Sequence, residues 1–305
     1  MRKALPLLAL LVTAFLAPVH TEPRDVFHVG VMRRDGVLVP FAAFDGKRWR
    51  AEWRAPARDL WIPITLTGIP KGWWETSPPG ADWQLWTSAG STSVHVTQPT
   101  WIDAHCARQV ALQTDYRSPE RPPPPKEQPY PKDGVAIAPA HAVEPIQVAG
   151  ARLDVIPPAD LRARFNKAEQ EVDRNFGHPI ARSVREPFDP VVEAIYAFGD
   201  SRPAYYIESS RMYRKLGDDG CTAIAFGTGW FVKEGEKIRW LDMAVDLLQC
   251  NKYGASYMLP LGAIRSGQRT FWIVQYAGWD HERYVVVEVK EKRVEAVVNV
   301  WGGGC

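Results

Sequence analysis

Two Asp-Gly pairs near the start of the chain constrain its fold more than any other feature. Asp35-Gly36 and Asp45-Gly46 each separate apolar runs within the stretch VGVMRRDGVLVPFAAFDGKRWRAEW. Asp-Gly between alternating apolar runs is the strongest short-range signal of a β-hairpin, because such turns require residues that tolerate positive φ. The stretch therefore predicts a three-stranded antiparallel meander.

Short apolar runs continue along the chain, before and after one proline-rich segment. Ahead of that segment, further strands are predicted at 61–67, 83–88, 92–97 and 107–114. From Ala204 onward, runs of the same kind are separated by Gly-rich or charged turns. Closely spaced strands with short turns are typical of antiparallel meanders in a barrel or a sandwich. We expect a mainly β fold of this class, with one or two covering helices.

One segment has helical periodicity instead. Its apolar residues recur every three or four positions: Leu161, Phe165, Ala168, Val172 and Phe176. This spacing places them in one stripe of a helix. Prolines before the stripe and a glycine after it are typical of helix ends. We expect a helix near 159–176 that covers a sheet, and a second short helix over Pro190–Phe198.

The proline-rich segment reads SPERPPPPKEQPYPKDG between Ser118 and Gly134. Proline lacks an amide donor and pushes the preceding residue toward extended geometry, so the segment predicts a semi-rigid connector. The expected organisation is therefore two β-rich parts joined by a Pro-rich linker. Their bounds are 22–117 for an N-terminal all-β unit, 118–135 for the linker and 136–305 for a C-terminal β-rich domain.

Residues 1–21 have the pattern of a secretory signal. Arg2 and Lys3 precede an apolar run that ends near small residues, which is the order of charge, apolar core and cleavage site in such signals. The run is too short and too interrupted by proline for a membrane span of about 20 residues. We expect this segment to be removed and the mature protein to be secreted or periplasmic, without a membrane span.

The charge balance disfavours nucleic acid as a partner. The 37 basic residues include Arg2 and Lys3 of the signal, which leaves 35 to balance 35 acidic residues. A neutral chain lacks the basic surface by which nucleic-acid binders and polybasic membrane binders attract their partners.

Four cysteines in an exported chain predict disulfide bonds. If Gly235-Glu236 forms a two-residue turn, Cys221 lies opposite Cys250 in a non-hydrogen-bonded pair, with alpha carbons about 4.5 Å apart. That distance permits a bridge, although a bulge would shift the register by one. The remaining pair, Cys106 and Cys305, would then join the N-terminal unit to the chain end. The alternative is a free, buried Cys106 and a frayed tail.

Motifs of common enzymes are absent from the sequence: it contains no HExxH, CxxC, GxSxG, P-loop or dinucleotide fingerprint. These motifs supply the metal ligands, the nucleophile or the phosphate-binding backbone of their enzyme classes. Their absence favours a binding or structural role over catalysis. We expect no cofactor and no metal site.

Two clusters of aromatic and basic residues are candidate binding sites. Arg48 and Arg50 alternate with tryptophans, as in binders of anionic polymers; the alternative is a solvated strand face backed by core tryptophans. Trp73 and Trp74 lie in a Gly/Pro-rich loop and could stack on the apolar face of a sugar ring. For this pair the alternative is packing against a neighbouring unit.

A third cluster, Asp280, His281 and Glu282, follows Trp279 in a predicted turn. A histidine between carboxylates could act as a general acid or base; the alternative is a solvated charged turn. The leading hypothesis is an exported binding or structural module for a glycan or another exported protein. The alternative is an extracytoplasmic hydrolase with dispersed acid and base residues. The sequence leaves the oligomeric state open.

Overall fold

Both Asp-Gly hairpins form as predicted in the computed structural model. It describes residues 26–52, 80–124, 129–148, 155–176, 188–200, 202–214 and 220–304. Gly36 and Gly46 adopt φ of 80° and 85° in the two turns, the conformation for which glycine was expected. The signal, the strand at 61–67, Trp73, Trp74 and Cys305 lie outside the described residues.

Seven strands form a sheet that closes into a six-stranded antiparallel barrel, with the short third strand added at one edge. They are β1 (Val26–Arg33), β2 (Val37–Asp45), β3 (Trp49–Ala51), β4 (Asp82–Thr87), β5 (Gly90–Ala104), β6 (Ala107–Thr114) and β7 (Lys132–Ala138). The order is β1-β7-β4-β5-β6-β2-β3, and pairing of β1 with β2 closes the barrel. The predicted mainly β, antiparallel fold class is confirmed.

The last barrel strand, β7, begins inside the segment predicted as a linker. Residues 132–138 pair with β1 on one side and with β4 on the other. Gly134 permits close approach to β4, because a Cβ there would lie 1.9 Å from the carbonyl oxygen of Trp86. The prolines in this segment predicted a linker over its whole length. The buried run Val135 to Ile137 nevertheless supplies the strand that the barrel needs.

Two further antiparallel sheets follow. The five-stranded sheet, in the order β12-β11-β10-β9-β8, contains β8 (Gln147–Val148), β9 (Val191–Phe198), β10 (Ala204–Tyr213), β11 (Ala223–Glu234) and β12 (Lys237–Leu248). The four-stranded sheet, in sequence order, contains β13 (Tyr257–Ser266), β14 (Arg269–Ala277), β15 (His281–Val289) and β16 (Val294–Gly304).

The second predicted helix is wrong: residues 191–198 form strand β9, which pairs with β10. The segment VVEAIYAF is rich in β-branched and aromatic residues, which pack well on a pleated surface. Its sheet partners therefore outweigh a weak helical pattern.

The first predicted helix is confirmed as α1 (Pro158–Phe176). Leu161, Phe165 and Ala168 are buried in one core cluster with residues of β10, β11 and β12. Gly227 of β11 receives the ring of Phe165, because a Cβ at that glycine would lie 2.6 Å from the Phe165 Cε2 atom. The helix covers this sheet, as expected.

The bridge between Cys221 and Cys250 is confirmed, but the predicted register is not. Pairs from Glu234 with Lys237 outward follow the prediction until a bulge at Leu241 shifts the register by one. Both cysteines lie just beyond the ends of β11 and β12, with alpha carbons 6.0 Å apart. A disulfide fits an oxidising environment outside the cytoplasm.

Cys106 is itself disulfide-bonded. This excludes the alternative of a free thiol at that position. Its predicted partner, Cys305, lies outside the described residues, so that pairing stays a prediction.

The barrel and the four-stranded sheet share one apolar core. Residues of β1, β2 and β7 lie in the same buried cluster as residues of β14, β15 and β16. Phe44 and Phe271 join the two parts at 5.5 Å between ring centroids, and Phe41 and Tyr284 do so at 5.6 Å. Among the described residues, no helix has the length and apolar character to cross a bilayer.

Candidate functional site

A cleft of about 590 Å³ opens beside the four-stranded sheet. Its walls come from segment 129–131, the loop 251–255, the start of β13 and residues 275–279 at the end of β14 and in the following turn. A mostly apolar concavity of this size is the usual form of a small-molecule site. We therefore treat this cleft as the candidate functional site.

Two exposed aromatic rings stand at the cleft. Tyr253 is 56% exposed and Trp279 is 71% exposed. Their rings stack with centroids 5.1 Å apart and planes 22° apart. Positive φ at Lys252 and Gly254, 58° and 142°, makes the tight loop that carries Tyr253. The pair leaves a large flat apolar surface in water, where a ligand ring can cover it.

Gln275 supplies a polar group to the lining of the cleft. Its side chain is buried, and its Nε2 donates to Glu282 Oε2 at 3.0 Å. A carboxylate can only accept, which fixes the amide orientation. The Gln275 Oε1 atom is thereby left with no donor among the described residues. A buried acceptor without a donor costs about 1–3 kcal/mol.

Glu282, one of the three predicted acid-base residues, is buried and held by three donors. Lys132 Nζ lies 3.4 Å from Oε2, Gln275 donates to the same oxygen, and Tyr284 donates to Oε1 at 2.7 Å. Lys132 also donates to the backbone oxygen of Tyr130. Burial lowers the pKa of the Lys132 ammonium, and the charge of Glu282 opposes that effect. This network links β7 of the barrel to β15.

Asp280 precedes β15 and His281 begins it, and the two form a hydrogen-bonded chain with Ser256. His281 Nδ1 lies 2.8 Å from Asp280 Oδ1, and His281 Nε2 lies 3.3 Å from Ser256 Oγ. The hydrogen bond from His281 holds the pKa of the Asp280 carboxyl below its usual value. The sequence indicated the Asp-His pair but gave no signal for Ser256, which is remote in the chain and belongs to no motif.

Glu208 lies behind the cleft wall. It is 2% exposed, and its Oε1 accepts a hydrogen bond from the backbone amide of Met258, a lining residue, at 2.6 Å. Burial raises the pKa of its carboxyl to about 7, against the effect of that hydrogen bond. Sequence reasoning missed this group, because one glutamate in an apolar strand has no local signature.

Arg48 and Arg50 do not join the cleft lining. Both are exposed, and Arg50 pairs with Glu52 at 3.2 Å. Trp49 packs on Phe27, Phe44 and Phe271 in the core. This arrangement matches the alternative of a solvated face backed by a core tryptophan.

Within the described ranges, no three His, Cys, Asp or Glu side chains converge as a metal site requires. No protein-family model, curated protein or solved structure matches this chain. Inferences about function therefore depend on the geometry of the cleft and its surroundings.

Proposed function

We propose that this chain is an exported binding protein whose cleft holds a flat ligand with hydroxyl groups. The ligand we propose is a saccharide ring. The observation that carries the proposal is the exposed stack of Tyr253 on Trp279 beside the apolar cleft. The C–H face of a pyranose ring is flat and apolar, and it can therefore stack on the flat apolar face of an indole ring.

Gln275 adds a polar side chain to an otherwise mostly apolar lining. A lining of this kind favours a ligand with hydroxyl groups over a purely hydrocarbon one. The secretory pattern of residues 1–21 and the Cys221–Cys250 bridge support export. Glycans are abundant outside the cytoplasm, and they combine flat apolar faces with many donors. A glycan therefore accounts for the cleft better than a protein ligand.

The test uses the natively exported protein and a panel of soluble glycans and cell-wall fractions. Binding is read as a shift in melting temperature and as quenching of tryptophan fluorescence. For a glycan that binds, Trp279→Ala should weaken affinity about tenfold or more, which corresponds to about 1.4 kcal/mol of lost stacking.

Trp301→Ala is the matched control. Trp301 is also exposed but lies on β16 and does not line the cleft. The proposal fails if no glycan shifts the melting temperature, or if the Trp279 and Trp301 variants bind equally well.

A further inference from the structure

We propose that Ser256 is a nucleophile, activated by His281 and positioned through Asp280, that hydrolyses O-acyl esters at the edge of the cleft. This activity goes beyond binding. Only the claim that the acyl group is carried by a sugar bound in the cleft rests on the proposed function. The three residues Ser256, His281 and Asp280 are called the relay below.

The hydrogen bonds of the relay fix its proton positions. Asp280 is a carboxylate and can only accept, so the imidazole proton lies on Nδ1, 2.8 Å from Oδ1. The other ring nitrogen, Nε2, then presents a lone pair toward Ser256 Oγ at 3.3 Å. The serine hydroxyl donates to that lone pair. This tautomer is the one that a general base needs to accept a serine proton.

The sheet register builds the relay across three strands. Tyr257 of β13 pairs with Ala277 of β14, which pairs with Glu282 of β15. Ser256 and His281 directly precede the two outer members of this row. Gly278 leaves the space that the imidazole uses, because a Cβ there would lie 2.4 Å from His281 Cε1. A side chain at 278 would displace the ring.

The electrostatic surroundings suit a histidine that gains a proton during reaction. The low pKa of Asp280 keeps it charged at neutral pH, where it stabilises an imidazolium. His105, which interacts electrostatically with His281, has a pKa lowered by burial and stays neutral at that pH. It therefore adds no opposing charge. His281 and Ser256 are partly exposed, so an ester and water can reach them.

The position of the relay beside the cleft indicates the substrate class. Ser256 lies between the lining residues Ala255 and Tyr257, and Asp280 directly follows the lining residue Trp279. The relay side chains border the cleft and do not line it. A sugar ring on Trp279 would present substituents of its rim toward this border. An O-acyl group on such a ring is the expected substrate.

The reaction balances without any further reagent. Ser256 Oγ bonds to the acyl carbon while its proton passes to His281 Nε2. The bond between the acyl carbon and the alcohol oxygen breaks, and the alcohol leaves with that proton. Water then attacks the acyl-serine, gives a proton to Nε2, and the Ser256 oxygen leaves with it. The net change is ester plus water to carboxylic acid plus alcohol.

The test combines active-site labelling with turnover, on the natively exported full chain. A biotinylated fluorophosphonate should label Ser256, as mapped by peptide mass spectrometry, and p-nitrophenyl acetate should be hydrolysed. Ser256→Ala should abolish labelling, and His281→Gln should lower kcat/KM roughly 100-fold because no base remains. Ser93→Ala, in an exposed part of β5, is the control and should label and hydrolyse as the wild type does.

Asp280 is a positioning residue and needs a readout of its own. Asp280→Asn should lower kcat roughly tenfold with KM unchanged, because the imidazole loses the acceptor that holds its proton on Nδ1, and Asp280→Glu should restore part of the lost kcat. Equal losses of kcat in the two variants would contradict its role.

The outcome separates this proposal from the binding proposal. Glycan binding and fluorophosphonate labelling are read separately on the wild type, the first as a shift in melting temperature and the second by peptide mass spectrometry at Ser256. If the wild type takes no label at Ser256, or if hydrolysis survives Ser256→Ala unchanged, the nucleophile assignment is overturned. Glycan binding would then be judged separately, from the glycan titrations of the wild type and the Trp279 variant.

Discussion

At the residue scale, the buried carboxyl of Glu208 should make the stability of the protein depend on pH. Its pKa of about 7 exceeds the ordinary 4.5 because the folded state disfavours the charged form. The folded protein therefore binds this proton more tightly than the unfolded chain does. The stabilisation is complete below pH 4.5 and is lost as the pH rises through about 7.

Glu208→Gln removes this dependence, because the amide never ionises. At pH 8 the variant should exceed the wild type by about 3 kcal/mol in free energy of unfolding, and at pH 5 by about 1 kcal/mol or less. Urea denaturation at the two pH values measures the difference. Glu236→Gln, in the exposed hairpin tip, is the control and should change little at either pH. An equal effect of Glu208→Gln at both values would contradict the assignment.

Residue-level features of the site were only partly readable from the sequence. Asp280 and His281 are neighbours in the chain, so their pairing left a local pattern. Ser256, Gln275 and Glu208 are single polar residues in or beside apolar strands. Strand pairing brings Ser256 to His281 and Gln275 to Glu282, and such pairing becomes visible only in the folded chain.

At the scale of elements, α1 packs on its sheet through the apolar stripe of Leu161, Phe165 and Ala168, and the Phe165 ring lies against Gly227. The Phe165 ring occupies the space in which a Gly227 side chain would lie. Gly227→Ala should cost about 1–3 kcal/mol by overpacking, and Phe165→Ala should cost about 3–5 kcal/mol by leaving a cavity.

The two changes should couple. With the ring removed, Gly227→Ala should cost clearly less than in the wild type, because the 2.6 Å contact with Phe165 is lost and only the flexible end of the Met243 side chain, at 3.1 Å, remains close to the new methyl. A double-mutant cycle by urea denaturation measures this difference. If Gly227→Ala lowers the free energy of unfolding equally with and without the Phe165 ring, the ring is not the reason that position 227 requires glycine.

Most elements were predictable because their signals are local. The Asp-Gly hairpins, strand β6 and helix α1 follow from turn chemistry and periodicity within short windows. Three features depend on neighbours instead: β9 is a strand because β10 pairs with it, the bulge at Leu241 shifts the β11–β12 register, and β7 joins the barrel despite the prolines before it.

At the scale of the whole molecule, the cleft is tied to both halves of the chain. Segment 129–131 contributes to its wall just before β7 enters the barrel, and Gln275 connects through Glu282 to Lys132 of that strand. Pairing of β2 with β6, and insertion of β7 between β1 and β4, join strands that are remote in the sequence. No window of sequence contains them, which is why barrel and sandwich could not be separated beforehand.

The central claim is that ligands bind in the cleft at the Tyr253–Trp279 stack. Hydrogen exchange with mass spectrometry, on the full chain with and without a binding glycan, tests it most directly. The account predicts slower exchange in peptides covering 251–259 and 275–282, and unchanged exchange around Arg48 and Arg50. Protection confined to peptides covering 48–54 or to peptides that contain Trp73 and Trp74, with none at the cleft, would contradict it.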